Sequence, residues 1–228
     1  MSQQLFDQYD RSYGNVVQDS IRFSGLKHDF FLQAKADLMR EKILSHFGSR
    51  KPDGLDVGCG IGAFHPYVRQ YFTRYCGIDV SEKSIEQAKA ALNGVEYAAH
   101  DGGRIPYAEH SFDFVSTICV MHHVPPAEWL SFMREMRRVT RPDGIVCVIE
   151  HNPWNPLTRI AVNRCEFDAD AVLLRAGKTE DLMREAGLRN ITSGYFLFLP
   201  FRSSFAQKLE RSIRWLPLGA QYMTCGKV

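Results

Sequence analysis

The stretch "GLDVGCGIGAFHPYV", residues 54–68, decides the fold, and it reads in two ways. As Gly-x-Gly-x-x-Ala, Gly58 to Ala63, it is a phosphate-cradling turn of the dinucleotide-binding kind. As Asp-x-Gly-x-Gly-x-Gly, it adds Asp56 two residues ahead of Gly58, with Gly60 and Gly62 following. In both readings a short apolar strand gives way to a helix. Glycines there let the backbone turn tightly and let a ligand approach without meeting a Cβ.

Asp56 separates the two readings. A fixed carboxylate beside a pyrophosphate is unfavourable, whereas beside an ammonium it is favourable. A nucleoside with a cationic tail fits, which describes S-adenosylmethionine with its ammonium and sulfonium. Asp79 closes the next apolar run, in "YCGIDVSEKSIEQAKA", about 20 residues after the loop, the separation at which an acid reaches ribose hydroxyls. Ser81 is placed to cap the helix that follows, leaving Asp79 available. Asp101 follows a third strand, with Gly102 beside it, where an acid accepts from an adenine amino group.

Outward from the loop the chain alternates. Apolar runs at 54–58, 75–79, 95–99, 112–119 and 144–150 read as strands, and "AFHPYVRQYF", "SEKSIEQAKAALN" and "PAEWLSFMREMRRV" as helices between them. This alternation predicts an α/β fold, a mostly parallel sheet with helices on both faces. Residues 1–46 read as an N-terminal helical cap and 47–228 as the cofactor-binding domain, with substrate-side insertions at about 151–176 and 200–218. "KTEDLMREAG" predicts a helix with Thr179 as N-cap and Gly187 as stop. Residues 190–198 and 220–226 read as two closing strands.

With "HDGGRIPYAEHSFDFVSTICVMHHV" and "EMRRVTRPDGIVCVIEH", these segments make four motifs in order over about residues 50–150. Together they resemble the class I S-adenosylmethionine-dependent methyltransferases, small-molecule branch. The resemblance implies a Rossmann-like seven-stranded sheet of order 3-2-1-4-5-7-6 with strand 7 antiparallel. It also implies that Asp56, Gly58, Cys59, Gly60 and Gly62 meet the methionine moiety and that Asp79 binds the ribose. Val80, Asp101 and Gly102 then surround the adenine, Ile118 and Cys119 line the path to the methyl group, and Tyr13, with Tyr9 nearby, folds over the donor.

Methyl transfer asks the protein mainly to align donor and acceptor, with a base where the acceptor loses a proton. His122 and His123, after the fourth strand, and His151, after the fifth, are the candidate bases, with His122 favoured. No acid at ligand spacing accompanies these histidines, so no metal site is expected. Asn152, Trp154, Asn155, Arg159, Asn163 and Arg164 cluster in the first insertion. Asn152, Trp154, Arg159 and Arg164 are the expected substrate contacts, suited to a glycan or another polar secondary metabolite, with O-methylation favoured over N-methylation. In the second insertion Phe201, Phe205, Leu209 and Ile213 recur every four residues among basic side chains, a stripe expected to pack against the domain or a partner subunit rather than to touch lipid.

Composition narrows the classes. A net charge of +2 and the lack of a basic tail argue against a nucleic-acid partner. The Asn-Pro-Pro-aromatic signature of exocyclic base methylation is also missing, since the fourth strand ends in "CVMHHVPP". The six cysteines are dispersed and sit largely in apolar runs, the usage of a reducing compartment. No leader or membrane span is visible, which predicts a cytoplasmic protein acting on a small molecule, without membrane insertion and with a homodimer left open. Two alternatives remain: a methyltransferase-like binding subunit without turnover, and an NAD-dependent oxidoreductase, the latter disfavoured by Asp56.

Overall fold

The computed structural model describes residues 13–228; Tyr9 lies outside them, as does the side chain of Tyr13. Two N-terminal helices, α1 (Tyr13–Ile21) and α2 (His28–Phe47), precede the sheet. Then come β1 (Gly54–Val57), α3 (His65–Val68), β2 (Tyr75–Asp79), α4 (Glu82–Ala91), β3 (Glu96–Ala99) and β4 (Phe112–Ile118). The second half runs through α5 (Trp129–Val139), β5 (Thr140–His151), α6 (Pro156–Arg164), α7 (Ala176–Glu185), β6 (Arg189–Phe196), α8 (Ser204–Ile213) and β7 (Gln221–Lys227). The seven strands form one sheet of order β3-β2-β1-β4-β5-β7-β6. Strands β1 to β5 pair in parallel, while β7 is antiparallel to both β5 and β6, as expected.

Burial on both faces explains why the strands read as unbroken apolar runs. Along β5, Val146 and Val148 join the core beneath α5 and α7, while Ile145, Cys147 and Ile149 face the opposite core with Leu32, Met39 and Ile43 of α2. From His28 onward the N-terminal segment thus adds side chains to the core of the sheet. Ser81 caps α4 by accepting from the Ser84 amide at 3.1 Å, as its position predicts.

One expectation is corrected. Thr179 does not cap α7, which begins three residues earlier; it is buried inside the helix, its hydroxyl 2.8 Å from that of Tyr222. Gly187 does stop the helix, at φ 88°. The stripe on α8 packs on the domain only in part. Ala206 is buried, but Phe205 and Leu209 are 72% and 40% exposed. Just after α8, Arg214 donates to both carboxylate oxygens of Glu41 in α2, at 2.8 and 3.1 Å.

Candidate active site

The C-terminal ends of β1, β2, β4 and β5 open into a cleft of about 1120 Å³. Single ligands occupy pockets of about 300–1,000 Å³, so this one has room for a donor and an acceptor together. Open α/β sheets bind their ligands at this edge, where the strand order reverses between β1 and β4.

The glycine loop floors one end. Gly58 has φ 79°, and a Cβ there would stand 2.5 Å from Val120, so only glycine fits the turn. Gly60 has φ 52° and open space beyond it, which leaves its backbone approachable from the cleft. The Gly60 amide donates to Asp79 Oδ2 at 2.7 Å and the Ser81 amide to Oδ1 at 2.9 Å, so Asp79 ties the loop to the end of β2. Burial pushes its carboxyl up, against the pull of these amides. Val80, Asp101 and Gly102 line the same end; Asp101 is exposed and accepts from the Gly103 amide at 2.9 Å, a local turn that leaves its other oxygen toward solvent.

Asp56 is held by partners within the protein. It borders the cleft but is only 3% exposed, and each oxygen is engaged: Oδ1 accepts from Ser116 at 2.9 Å, and Oδ2 lies 3.0 Å from His65 Nε2. His65 Nδ1 in turn lies 2.8 Å from the Tyr97 hydroxyl. The carboxylate thus pins β1 to β4 and to the start of α3.

At the other end, β4 stops at Ile118 and Cys119, both lining the cleft. Cys119 has φ 56°, a left-handed conformation uncommon outside glycine. Lys35 of α2, 7% exposed, donates to its sulfur at 3.4 Å. Burial alone would push this thiol up, but Lys35 and His151 outweigh it and bring it down to about 7. His151 Nδ1 lies 3.3 Å from Gln221 Nε2.

His122 is enclosed. Its Nδ1 donates to Glu150 Oε2 at 2.6 Å and its Nε2 lies 3.3 Å from Asp168 Oδ1. Burial favours the neutral ring, yet the two carboxylates dominate and hold it protonated well above the usual histidine range. Glu150, buried at the end of β5, also accepts from the Val120 and Met121 amides at 2.9 and 2.8 Å. The preference for His122 as base is therefore corrected: both nitrogens are already committed. His123 lies beside it, its Nε2 3.3 Å from Asp168 Oδ1, and burial together with the charged neighbour lowers it to about 4. The acid that the sequence seemed to lack is Asp168, delivered by the turn after α6.

The polar residues expected to hold the substrate are not brought together. Asn152 is fully buried and donates to the Pro217 and Gly219 carbonyls at 3.0 and 2.8 Å, strapping one insertion to the other. Trp154 is 59% exposed, outside the cleft, with the Arg175 guanidinium 4.9 Å above its ring. Arg159, Asn163 and Arg164 are also exposed and outside it, Arg164 over Phe23 at 5.2 Å. Asn155 does border the cleft, where it caps α6 through the Thr158 amide. The insertion contributes instead Leu157, Ala161, Val162 and Phe167, facing Phe23, Phe31 and Phe132.

Comparison with known proteins agrees with this geometry. Residues 55–148 match the family described as a methyltransferase domain. An uncharacterized methyltransferase of Synechocystis sp. is 31% identical over 139 residues, 55% of this chain and 66% of that one. The demethylmenaquinone methyltransferase of Staphylococcus aureus is 30% identical over 159 residues, 66% of this chain and 64% of that one. The chain thus covers slightly less than two thirds of the length of either relative. In fold it is similar to a SAM-dependent methyltransferase from Thermotoga maritima, TM-score 0.68 at 18% identity over 99% of both chains. A second, from Archaeoglobus fulgidus, gives 0.61 at 14% identity, covering 89% of this chain and all of that one. Among the described residues no helix is long and apolar enough to cross a membrane. Residues 55–148 thus carry a methyltransferase domain, and the strand order and glycine loop around it give the chain the fold of the S-adenosylmethionine-dependent methyltransferases.

Proposed function

We propose that this chain transfers the methyl group of S-adenosylmethionine to an oxygen of an apolar, ring-bearing small molecule. The observation that carries the reading is the two-ended cleft: a glycine loop with Asp79 at one end, and aromatic and aliphatic side chains around a small polar island at the other. That lining disfavours the glycan acceptor expected from Asn152, Trp154, Arg159 and Arg164. The relative named demethylmenaquinone methyltransferase supports an apolar, ring-bearing acceptor, while the choice of oxygen does not rest on it.

In this reading Asp79 accepts from the ribose hydroxyls, Val80, Asp101 and Gly102 flank the adenine, and Gly58, Cys59, Gly60 and Gly62 present backbone to the methionine moiety. The cofactor supplies an activated methyl carbon. The protein aligns the acceptor oxygen with it and excludes water, a contribution of up to about 7–11 kcal/mol. His151, lining the cleft beside Cys119, takes the hydroxyl proton, which adds about 10²–10⁴-fold. Ile118 and Cys119 wall the space between donor and acceptor.

The test uses methyl-labelled S-adenosylmethionine with two acceptor panels, hydroxylated apolar aromatics and glycosides of matched hydroxyl count. Label should pass to the first panel. Transfer to the glycosides alone overturns the acceptor class, and tight donor binding with no transfer to either supports a binding subunit instead.

A further inference from the structure

We infer that His122, His123 and Asp168 form a site for a divalent first-row metal ion at the acceptor end of the cleft. Asp168 Oδ1 stands 3.3 Å from His122 Nε2 and 3.3 Å from His123 Nε2, and one ligand atom of each residue lies within 4.8 Å of the others. Donors at about 2.0–2.2 Å from one ion stand about 3.3–3.5 Å apart at tetrahedral angles. Two edges of the triangle therefore already have the length that shared coordination imposes.

The surroundings are those of a ligand set. Glu150 Oε2, 2.6 Å from His122 Nδ1, fixes that ring so that Nε2 points at the site, the carboxylate–histidine arrangement found behind metal-bound imidazoles. Glu150 is itself held by two backbone amides, so the ring is positioned before any ion arrives. Among the described residues, Glu150 and Asp168 form ion pairs with imidazoles and with no lysine or arginine. An ion entering the site replaces the proton that His122 Nε2 directs at Asp168, so binding releases a proton and leaves the Glu150 contact in place.

All three residues line the cleft, and His123 and Asp168 are partly exposed, which leaves one side of the site open to a ligand. Two imidazoles and a carboxylate suit zinc, iron(II), cobalt or manganese, not calcium. Resting on the methyltransferase reading above, the open side takes the acceptor's oxygen. A Lewis acid there favours the deprotonated form, the form that attacks a methyl group. His151, whose ring centroid is 5.1 Å from that of His122, remains within reach of the departing proton.

The experiment is titration of untagged, chelator-treated full chain with cobalt(II), followed by visible absorption and by metal content after dialysis. One ion per chain is expected, with ligand-field bands of a nitrogen–oxygen site and no thiolate charge-transfer band. Asp168→Asn and His123→Ala should each weaken binding by about tenfold or more while melting as cooperatively as the wild type; Glu150→Gln should weaken it by about 10–100-fold. If the first two variants do not fold, the wild-type spectrum and the Glu150→Gln titration decide. No retained cobalt, a thiolate band, or binding unchanged in the variants overturns the site. Metal binding without methyl transfer leaves the site standing and sinks the enzymatic reading, whereas transfer by protein that retains no metal does the reverse.

Discussion

The Gly60 amide donates to the Asp79 carboxylate at 2.7 Å, joining the glycine loop to the end of β2 across 19 residues of chain. One side chain thereby fixes the loop and presents an oxygen at the cleft edge. Asp79→Ala removes both functions. Hydrogen bonds to charged groups contribute about 1.5–3 kcal/mol, so affinity for S-adenosylhomocysteine should fall by about 10–100-fold in calorimetry. Asp79→Asn, which keeps an acceptor for Gly60, should lose less. Equal affinity in wild type and Asp79→Ala rules out this role.

The glycine loop and the strand-end acid beside it were legible because their requirements are local. A glycine at φ 79° whose Cβ would strike Val120 has no substitute, and an acid at the end of a strand shows itself by position. The acceptor half was not legible, because its contacts are remote. His122 meets Glu150 and Asp168 from 28 and 46 residues away, and Lys35 meets Cys119 from 84. The sequence signals for these partners were present but weak: a lysine within an otherwise apolar helix face and a glutamate closing an apolar strand. Asn152, Trp154, Arg159 and Arg164 misled because polar residues close in sequence need not share a surface. One is a buried strap, and three lie on exposed faces.

The Lys35–Cys119 contact gives the thiol a distinct reactivity. With burial outweighed by Lys35 and His151, Cys119 titrates at about 7, against 9.0 for an ordinary thiol. Its alkylation by iodoacetamide should therefore reach half its maximal rate near neutral pH. An ammonium within a few ångströms shifts a titration by about 1–3 units, so Lys35→Met should move the profile upward by that order. S-adenosylhomocysteine should slow the reaction if Cys119 borders the methyl position. A profile unmoved by Lys35→Met dissociates the pair.

At the opposite edge of the sheet, Asp113 Oδ2 accepts from the Asp53 amide at 2.8 Å and from Arg141 at 3.0 Å, with Arg50 at 3.2 Å. Burial opposes ionisation, but the amide and the two guanidiniums prevail and hold the carboxyl below its usual range. A group whose folded pKa is depressed stabilises fully above its unfolded value, about 3.9, and loses that contribution as pH falls through the folded value. Asp113→Asn should cost about 1–3 kcal/mol in urea unfolding at pH 7. The gap from wild type should narrow as the pH drops below about 4. A gap that stays constant through that range excludes the ionic contribution.

Asn152 and Arg159 were expected to act alike, and the structure separates them. The Asn152 amide group spans the Pro217 and Gly219 carbonyls, and its oxygen accepts from the Trp154 amide at 3.1 Å, all in a buried place. Asn152→Ala leaves those groups without their partner, at about 1–3 kcal/mol for each buried group left unsatisfied. Its melting temperature should fall, and S-adenosylhomocysteine affinity should hold once the protein is folded. Arg159 reaches solvent outside the cleft, where substitutions usually stay within about 0.5 kcal/mol of neutral. Arg159→Ala should change neither stability nor the Michaelis constant of an accepted apolar substrate. A large rise in that constant for Arg159→Ala, with stability intact, would return the arginine to the acceptor site and with it the case for an anionic or sugar-bearing substrate.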